Sequence, residues 1–526
     1  MPVKISSGTL FGIEALGVEV EIDLSRGLPA FSVVGLPDRA LQEARERVRS
    51  ALVNSDLPYP RRRITINLAP GDQRKEGPQF DLPIAVGLLA AQDMIDPANL
   101  KDSFIVGELA LSGEVRPVRG IIPLLELALE LGSKQFIFPA GCKSQIPDAG
   151  SIKFIPVTSL SQALEILQNG KEIPDWRPTF KYSDFLENEK ISSGDRESGT
   201  RNRETLAGNY KGIRLENIKG QQRAKRVLEI VAAGQHNLLL IGPPGSGKTM
   251  LARALAGLLP PLKPEEAREV AVIASAAGIN DWMEGGGIKR PWRDPHHSIS
   301  MVGLIGGGKT LTPGEVTLAH QGVLFLDELL EFQRNVLENL RQPLEEGYIN
   351  IVRQSYNVRL LADFLLVAAM NPCPCGNFGR LDKECKCSHY RIADYRGRLS
   401  GPLLDRIDIH LEISALDAEQ IVFPRKKGPT TAQVHQRVLK ARKIQQERNG
   451  GIWNSALDFQ QLEDICRLSQ KEKHFLARAF NKLGLSARAY DKILRVARTI
   501  ADLDCSEELN ADHLAEAIIF RNLDRS

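Results

Sequence analysis

At 526 residues, with 42% hydrophobic and 25% charged content and a formal net charge of +3, the chain is too long for one core. A prior of about 150 residues per domain suggests roughly three or four domains. No global charge excess points to nucleic acid, so any basic surface must be local. No apolar run approaches the ~20 residues that span a bilayer, the stretch 82–91 being broken by Pro83 and Gly87, and the Met-Pro-Val-Lys start lacks a signal-peptide core. A cytoplasmic protein without a membrane partner is expected.

From the N-terminus, Val18-Glu19-Val20-Glu21-Ile22 and Ile64-Thr65-Ile66-Asn67-Leu68 alternate with period two, among helical patterns at 37–54, 82–92 and 121–132. An α+β domain is expected over 1–170. Between 183 and 204 only Phe185, Leu186 and Ile191 are apolar, too little to offset ordering entropy, so 171–211 reads as a linker. Over 212–415 helix and strand patterns alternate, with fully apolar strands at 237–241, 323–327 and 364–369, as in a parallel sheet covered on both faces. Val434, Val438, Ala441 and Ile444 then recur at helical spacing, and similar patterns at 458–466, 470–483, 486–503 and 511–520 make 416–526 an all-α lid. The fold class is multidomain α/β.

The strongest chemical signal is Gly242-Pro243-Pro244-Gly245-Ser246-Gly247-Lys248-Thr249, following an apolar strand and opening a helix over 250–258. In that context glycines let backbone N–H groups close on phosphate oxygens, Lys248 neutralises β/γ charge and Thr249 ligates Mg²⁺. A second apolar run, Leu324-Phe325-Leu326, ends in Asp327 and Glu328. Asp327 is placed to hold the Mg²⁺ shell and Glu328 to activate the attacking water in phosphoryl transfer. The bland alternatives are a chance glycine turn and a solvated acidic pair.

These segments resemble the AAA+ ATPases, and the resemblance implies further roles. Asn371, ending the strand Leu365-Leu366-Val367-Ala368-Ala369-Met370, matches the sensor-1 residue that bonds the attacking water or γ-phosphate; the alternative is an Asn-Pro turn. Ser400-Gly401-Pro402-Leu403-Leu404-Asp405-Arg406-Ile407-Asp408 is similar to the arginine-finger motif, so Arg406 would act on a neighbour's ATP unless it pairs internally with Asp405 or Asp408. A finger implies a homo-oligomeric ring, a hexamer in this family. Arg488, Lys492 and Arg495 fall on one helix face. Arg488 matches sensor 2 with Arg495 as second choice, the alternative being a solvated basic face.

The 79 positions from Lys248 to Asp327 exceed a compact core, and Gly285-Gly286-Gly287 and Gly306-Gly307-Gly308 flank Arg293-Asp294-Pro295-His296-His297-Ser298. This resembles the helix-2 insert of magnesium chelatase and minichromosome-maintenance ATPases. His296 and His297, adjacent in an extended segment, are expected to point to opposite sides, which disfavours a shared metal. Runs 348–352 and 358–361 flank Arg353-Gln354-Ser355-Tyr356-Asn357 as a β-hairpin. In this branch that hairpin faces a ring pore, where Arg353 and Arg359 would meet a DNA backbone; ordinary surface charge is the alternative.

The run Thr317-Leu318-Ala319-His320-Gln321-Gly322-Val323 into the carboxylates, with Cys373-Pro374-Cys375-Gly376 after Asn371-Pro372, resembles the magnesium-chelatase-like AAA+ ATPases of the YifB/ComM type over nearly the whole chain. Residues 64–82 and 107–120 look like the Lon protease domain, but Gln79 and Ile122 stand where a serine nucleophile and its lysine are required, so proteolysis is not expected. Arg61-Arg62-Arg63 is either a nucleic-acid contact or a solvated charge run.

Cys373-x-Cys375 and Cys385-x-Cys387, nine residues apart, form a four-thiolate set suited to structural Zn²⁺, with reduced packing cysteines or an oxidisable pair as alternatives. Such a site would brace the loop between Asn371 and Arg406. The leading expectation is an ATP-driven, ring-forming DNA helicase or branch-migration factor in recombination or natural transformation. The competing one is a chelatase-type ATPase that remodels a protein partner.

Overall fold

The computed structural model describes residues 2–71, 75–150, 152–169, 176–181, 213–284, 287–308, 311–353, 356–380, 383–414, 428–521 and 523. Contacts divide the chain into two compact units, Met1–Ser193 with Lys263–Ile288 and Lys309–Pro313, and Gly194–Leu262 with Lys289–Gly308 and Gly314–Ser526. The linker expected at 171–211 lies outside the described residues apart from 176–181.

In the first unit the period-two segments become strands of a seven-stranded mixed sheet. Its order is Ala30–Val34, Arg63–Ala69, Glu14–Ser25, Val3–Phe11, Ser103–Ile105, Gln135–Pro139 and Lys153–Val157. Val3–Phe11 and Glu14–Ser25 form an antiparallel hairpin in register from Val3↔Ile22 to Phe11↔Glu14. Ile64, Ile66 and Leu68 of Arg63–Ala69 are buried between partly exposed neighbours, as alternation requires. The helix Asp81–Ala90 is buried on every side, and Pro83 is tolerated because it lies in the first turn. Gly87 lets this helix reach the sheet, since a Cβ there would sit 2.3 Å from Ile22 Cδ1. Asp81, fully buried, accepts from Arg47 Nε at 2.7 Å and Nη2 at 3.0 Å. Burial pushes its carboxyl up to about 6 against the pull of Arg47.

The helix Pro264–Ala277, drawn in chain order from between Lys248 and Asp327, belongs to this first unit. It packs on the helix Ile121–Glu130, with Ala271, Ala274 and Trp282 joining Ile121, Leu124 and Ala128 in one apolar cluster. Ser275 Oγ accepts the Ile122 N–H at 3.2 Å, and Arg268 Nε pairs with Glu126 at 2.6 Å.

The second unit holds a five-stranded, wholly parallel sheet in the order Trp292–Arg293, Val323–Leu326, Leu365–Met370, Leu238–Ile241, Ile409–Glu412. The three apolar runs anticipated from the sequence are its central strands, every residue buried, because helices cover both faces. The helices Gln222–Gly234, Lys248–Ala256, Thr431–Asn449 and Ala487–Leu503 share one core with the sheet through Val227, Leu251, Val438 and Ile493. Thr430 and Gln433 close a capping box that starts the helix Thr431–Asn449. Within this core Arg442 donates to the Ala232 carbonyl at 2.8 Å and lies 3.8 Å from the Trp453 ring centroid. Among the described residues no helix is long and apolar enough to cross a membrane.

Candidate nucleotide site

Strand order makes the site. Because Leu365–Met370 lies between Leu238–Ile241 and Val323–Leu326, the residues leaving their carboxyl ends meet at one sheet edge. The phosphate loop leaves the first strand, Asn371 the middle one and Asp327 the third. Gly245 at φ +77° and Gly247 at φ +88° take left-handed conformations that favour glycine, and the helix Lys248–Ala256 starts directly after them.

Lys248 Nζ donates to the carbonyls of Gly242 at 2.8 Å and Pro243 at 3.2 Å and to Asn371 Oδ1 at 3.2 Å. All three acceptors are neutral. Burial lowers the Lys248 pKa while Asp327 and Glu328 raise it, so a bound anion would satisfy a charge that the loop leaves uncompensated. Ser246 Oγ is buried and has no hydrogen-bond partner among the described residues. These features fit a phosphate chain. Thr249 Oγ1 donates to Asp327 Oδ2 at 2.8 Å, two of the oxygens that an octahedral Mg²⁺ ion would take beside phosphate and water. Asp327 Oδ1 accepts the Glu328 N–H at 2.9 Å.

Glu328 has φ +51°, a conformation non-glycine residues rarely adopt, and its carboxylate is half exposed. Its Oε2 lies 3.6 Å from His297 Nδ1. Here the structure corrects the expectation for the histidine pair. The rings of His296 and His297 do not point apart but lie against each other at a tilt of 34°, with centroids 4.1 Å apart, because Ser298 turns the chain and donates its N–H to His296 Nδ1 at 3.3 Å. His297 also meets Phe332 edge-on. Asp294 is a further acid near the site: burial raises its pKa, Arg253 opposes that, and the Asp327 charge adds to it. Neither His297 nor Asp294 could be assigned beside the carboxylates from sequence, because the turn that brings them there carries no recognisable motif.

The other expected residues are distributed more widely. Arg406 pairs with Glu345, not with Asp405 or Asp408, and donates to the Pro402 carbonyl at 3.0 Å. Arg488 is largely exposed and pairs with Asp405. Lys492 pairs with Asp408, and Arg495 donates to the Leu457 carbonyl at 2.9 Å. Two of the three cations therefore pair with the segment 400–408, Lys492 through a largely buried pair and Arg488 through one open to water, while Arg495 bonds elsewhere. Burial works against the Asp408 carboxylate, yet Lys492 and His236 hold it below the usual range. Asp408 also accepts the Asn237 N–H at 2.9 Å, tying that segment to the strand that feeds the phosphate loop.

The hairpin forms as Tyr348–Arg353 and Tyr356–Leu361. Arg353 pairs with Tyr356 in the register that carries buried Ile351 and Leu360, whereas Arg359 pairs with Asn350 on the exposed face beside Val352. The two arginines thus occupy opposite faces. Arg359 stacks on Tyr348, 3.3 Å from its ring centroid. In the first unit Gln79 donates to the Glu76 carbonyl at 2.6 Å and Ile122 is buried, so neither supplies a nucleophile or a base. Arg61, Arg62 and Arg63 are exposed.

Cys373, Cys375, Cys385 and Cys387 converge, their sulfurs all within 4.8 Å of one another. They form the one group among the described residues with a metal-ligand arrangement of this kind.

Comparison with known proteins gives matches along most of the chain. Residues 214–421 match the family described as magnesium chelatase, subunit ChlI; residues 20–141 match subunit ChlI of Mg-chelatase; residues 428–521 match its C-terminal family. The chain is 44% identical over 531 residues to the competence protein ComM of Haemophilus influenzae, covering 99% of this chain and 97% of that protein. It is 40% identical over 521 residues to YifB of Escherichia coli, covering 98% and 96%. A shorter likeness, 35% over 102 residues, is to the archaeal Lon protease of Thermococcus kodakarensis, 18% of this chain and 16% of that protein.

Proposed function

Because the chain belongs to the magnesium-chelatase-like AAA+ ATPases of the ComM/YifB type, we propose that it is an ATP-hydrolysing motor that assembles as a ring, a hexamer, and acts on DNA as a helicase or branch-migration factor. The observation that carries the ATPase reading is the meeting of Lys248, Thr249, Asp327, Glu328 and Asn371 at one sheet edge. Likeness to a protein named for competence, and a hairpin with Val352 and Arg353 exposed at its end, support a role on DNA taken up or recombined in the cytoplasm.

In this reading the loop amides between Gly242 and Thr249 and the Lys248 ammonium hold the β- and γ-phosphates. Thr249 Oγ1 and Asp327 Oδ2 would hold Mg²⁺, which supplies charge neutralisation at the phosphates. Glu328 accepts a proton from the attacking water at its carboxylate, and Asn371 orients that water or the γ-phosphate. Arg406 leaves Glu345 to serve the adjoining subunit's site, where such a finger is worth a thousandfold or more, roughly, in turnover. Arg488 completes the site from the lid.

The test is ATP turnover with and without single-stranded, duplex and branched DNA, alongside strand displacement and a Lys248→Ala control. Stimulation by DNA, abolished in the control, is expected. Turnover indifferent to every DNA, with no displacement, would leave an ATPase that remodels a protein partner.

A further inference from the structure

The four cysteines have a geometry that thiols packed for burial alone do not need. Cys373 Sγ lies 3.4 Å from Cys375 Sγ and 3.7 Å from Cys385 Sγ, and Cys375 Sγ lies 3.7 Å from Cys385 Sγ. A regular tetrahedron of sulfurs around zinc at about 2.3 Å has edges of about 3.8 Å; the three distances match such edges, and Cys387 Sγ lies within 4.8 Å of the other sulfurs, which leaves room for one ion among them. The separations are far beyond a disulfide's bond length of about 2.05 Å.

The backbone also favours a charged sulfur. The Phe378 N–H donates to Cys373 Sγ at 3.3 Å. A thiol gains little from such a donor, whereas a metal-bound thiolate is stabilised by it.

We infer that these four cysteines bind one structural Zn²⁺ and that the ion serves as a clamp on the nucleotide site, fixing both Pro244 of the phosphate loop and Asn371. The clamp has two arms. Gly376, at φ +75° between the first cysteine pair and Asn377, lies so close to the loop that a Cβ there would fall 2.6 Å from Pro244 Cδ. Asn371 stands two residues before Cys373, and the intervening Pro372 carbonyl accepts from Arg396 Nε at 3.1 Å, on the helix His389–Gly397 that follows Cys387. Releasing the ion frees both ends of this loop at once. Asn371 then loses its position against Lys248, and Pro244 its neighbour. The metal centre stands independently of any role on DNA, while its effect on ATP affinity rests on the nucleotide-site reading.

The test uses the full chain, made in zinc-supplemented medium and purified without chelator or polyhistidine tag. Metal analysis is expected to give about one zinc per chain, and X-ray absorption a shell of about four sulfurs near 2.3 Å. Cys385→Ser should lower zinc content at least tenfold, while Cys505→Ser, at an exposed cysteine outside the cluster, should leave it unchanged. Zinc below a tenth of an equivalent, an oxygen or nitrogen shell, or full content in Cys385→Ser overturns the site. Extraction of the ion with a mercurial, then thiol and chelator, should weaken binding of a fluorescent ATP analogue about tenfold, and added zinc should restore it. Unchanged affinity without the ion overturns the clamp. A zinc-loaded protein that binds no nucleotide at all sinks the ATP reading and the clamp, and leaves the metal centre.

Discussion

The contact between His297 and Glu328 lends itself to a quantitative test. In the proposed mechanism Glu328 carries the acid-base chemistry, yet its side chain is held loosely: its backbone is in a left-handed conformation, its N–H is anchored on Asp327, and its carboxylate is 56% exposed. The His297 ring, 3.6 Å away and 35% exposed, is what the structure offers to aim it. Polar pairs this accessible to water contribute at most about 1 kcal/mol, so His297→Ala should lower ATP turnover roughly fivefold through misplacement of the base. Removing the base itself, in Glu328→Gln, should cost roughly a hundredfold or more. Neither change touches the loop that holds phosphate, so the dissociation constant of an ATP analogue should stay within about twofold for both variants. The discriminating measurement is a double-mutant cycle on the turnover number, read by phosphate release at saturating ATP. If His297 acts only through Glu328, its removal in the Glu328→Gln background changes nothing further. A second full fivefold loss there, or a weakened ATP affinity in His297→Ala, would refute the reasoning.

Four more outcomes are expected. Asp408→Asn strands Lys492, largely buried at 12% exposure, without its partner, and should lower unfolding stability by about 3–5 kcal/mol in chemical denaturation; a loss under about 1 kcal/mol would mean that the pair is not desolvated in solution. Gly376→Ala forces a Cβ into Pro244 at a left-handed position, and should weaken ATP-analogue binding severalfold with little change in zinc content; unchanged affinity would show that the loop is not pressed there. Arg353→Glu should weaken DNA binding and flatten its salt dependence by about one counterion, whereas Arg359→Glu, whose guanidinium is stacked on Tyr348, should do so less and destabilise the hairpin instead; equal effects on DNA would contradict the opposite facing of the two. A fragment ending at residue 170 uncovers the face of the helix Ile121–Glu130 that carries Ile122 and Glu126, which meet Ser275 and Arg268 in the full chain, and should aggregate or bind a hydrophobic dye, which sedimentation and fluorescence would show.

The sheet and the phosphate site were legible because their signals are local. An all-apolar run as short as Leu238–Ile241, ended by a glycine- and proline-rich turn, fits a strand buried on both sides better than a helix, and the glycines and Lys248 that follow it are tied to their chemistry by spacing. Adjacency of Asn371 to the loop followed from strand order, which family resemblance supplied and periodicity could not. What escaped the sequence is tertiary. Glu345, 61 positions from Arg406, has no pattern that marks it as a partner, and the pairs Arg488 with Asp405 and Lys492 with Asp408 need the lid helix to be docked before they exist. The contact of the His296 and His297 rings depends on a hydrogen bond to Ser298 that defeats the alternation of an extended chain. The separation of Arg353 from Arg359 was readable in principle, since it follows from period two once the pairing Arg353↔Tyr356 is known, but the register is set by the turn.

The helix Pro264–Ala277 gives the molecule an order of assembly. A nascent chain that has completed residue 181 still lacks Ala271, Ala274 and Trp282, which complete the apolar cluster on the helix Ile121–Glu130, and Ser275, which meets Ile122 there. The N-terminal unit therefore cannot reach its final state while the ribosome is still translating the phosphate loop. It must wait until the segment Lys263–Ile288 has emerged, with an apolar helix face uncovered in the interval. Synthesis of the Lon-like part and of the ATP site are thereby interleaved in time. A pause or a premature stop between Gly242 and Lys263 leaves an unfinished first unit for chaperones, not a finished domain with a tail.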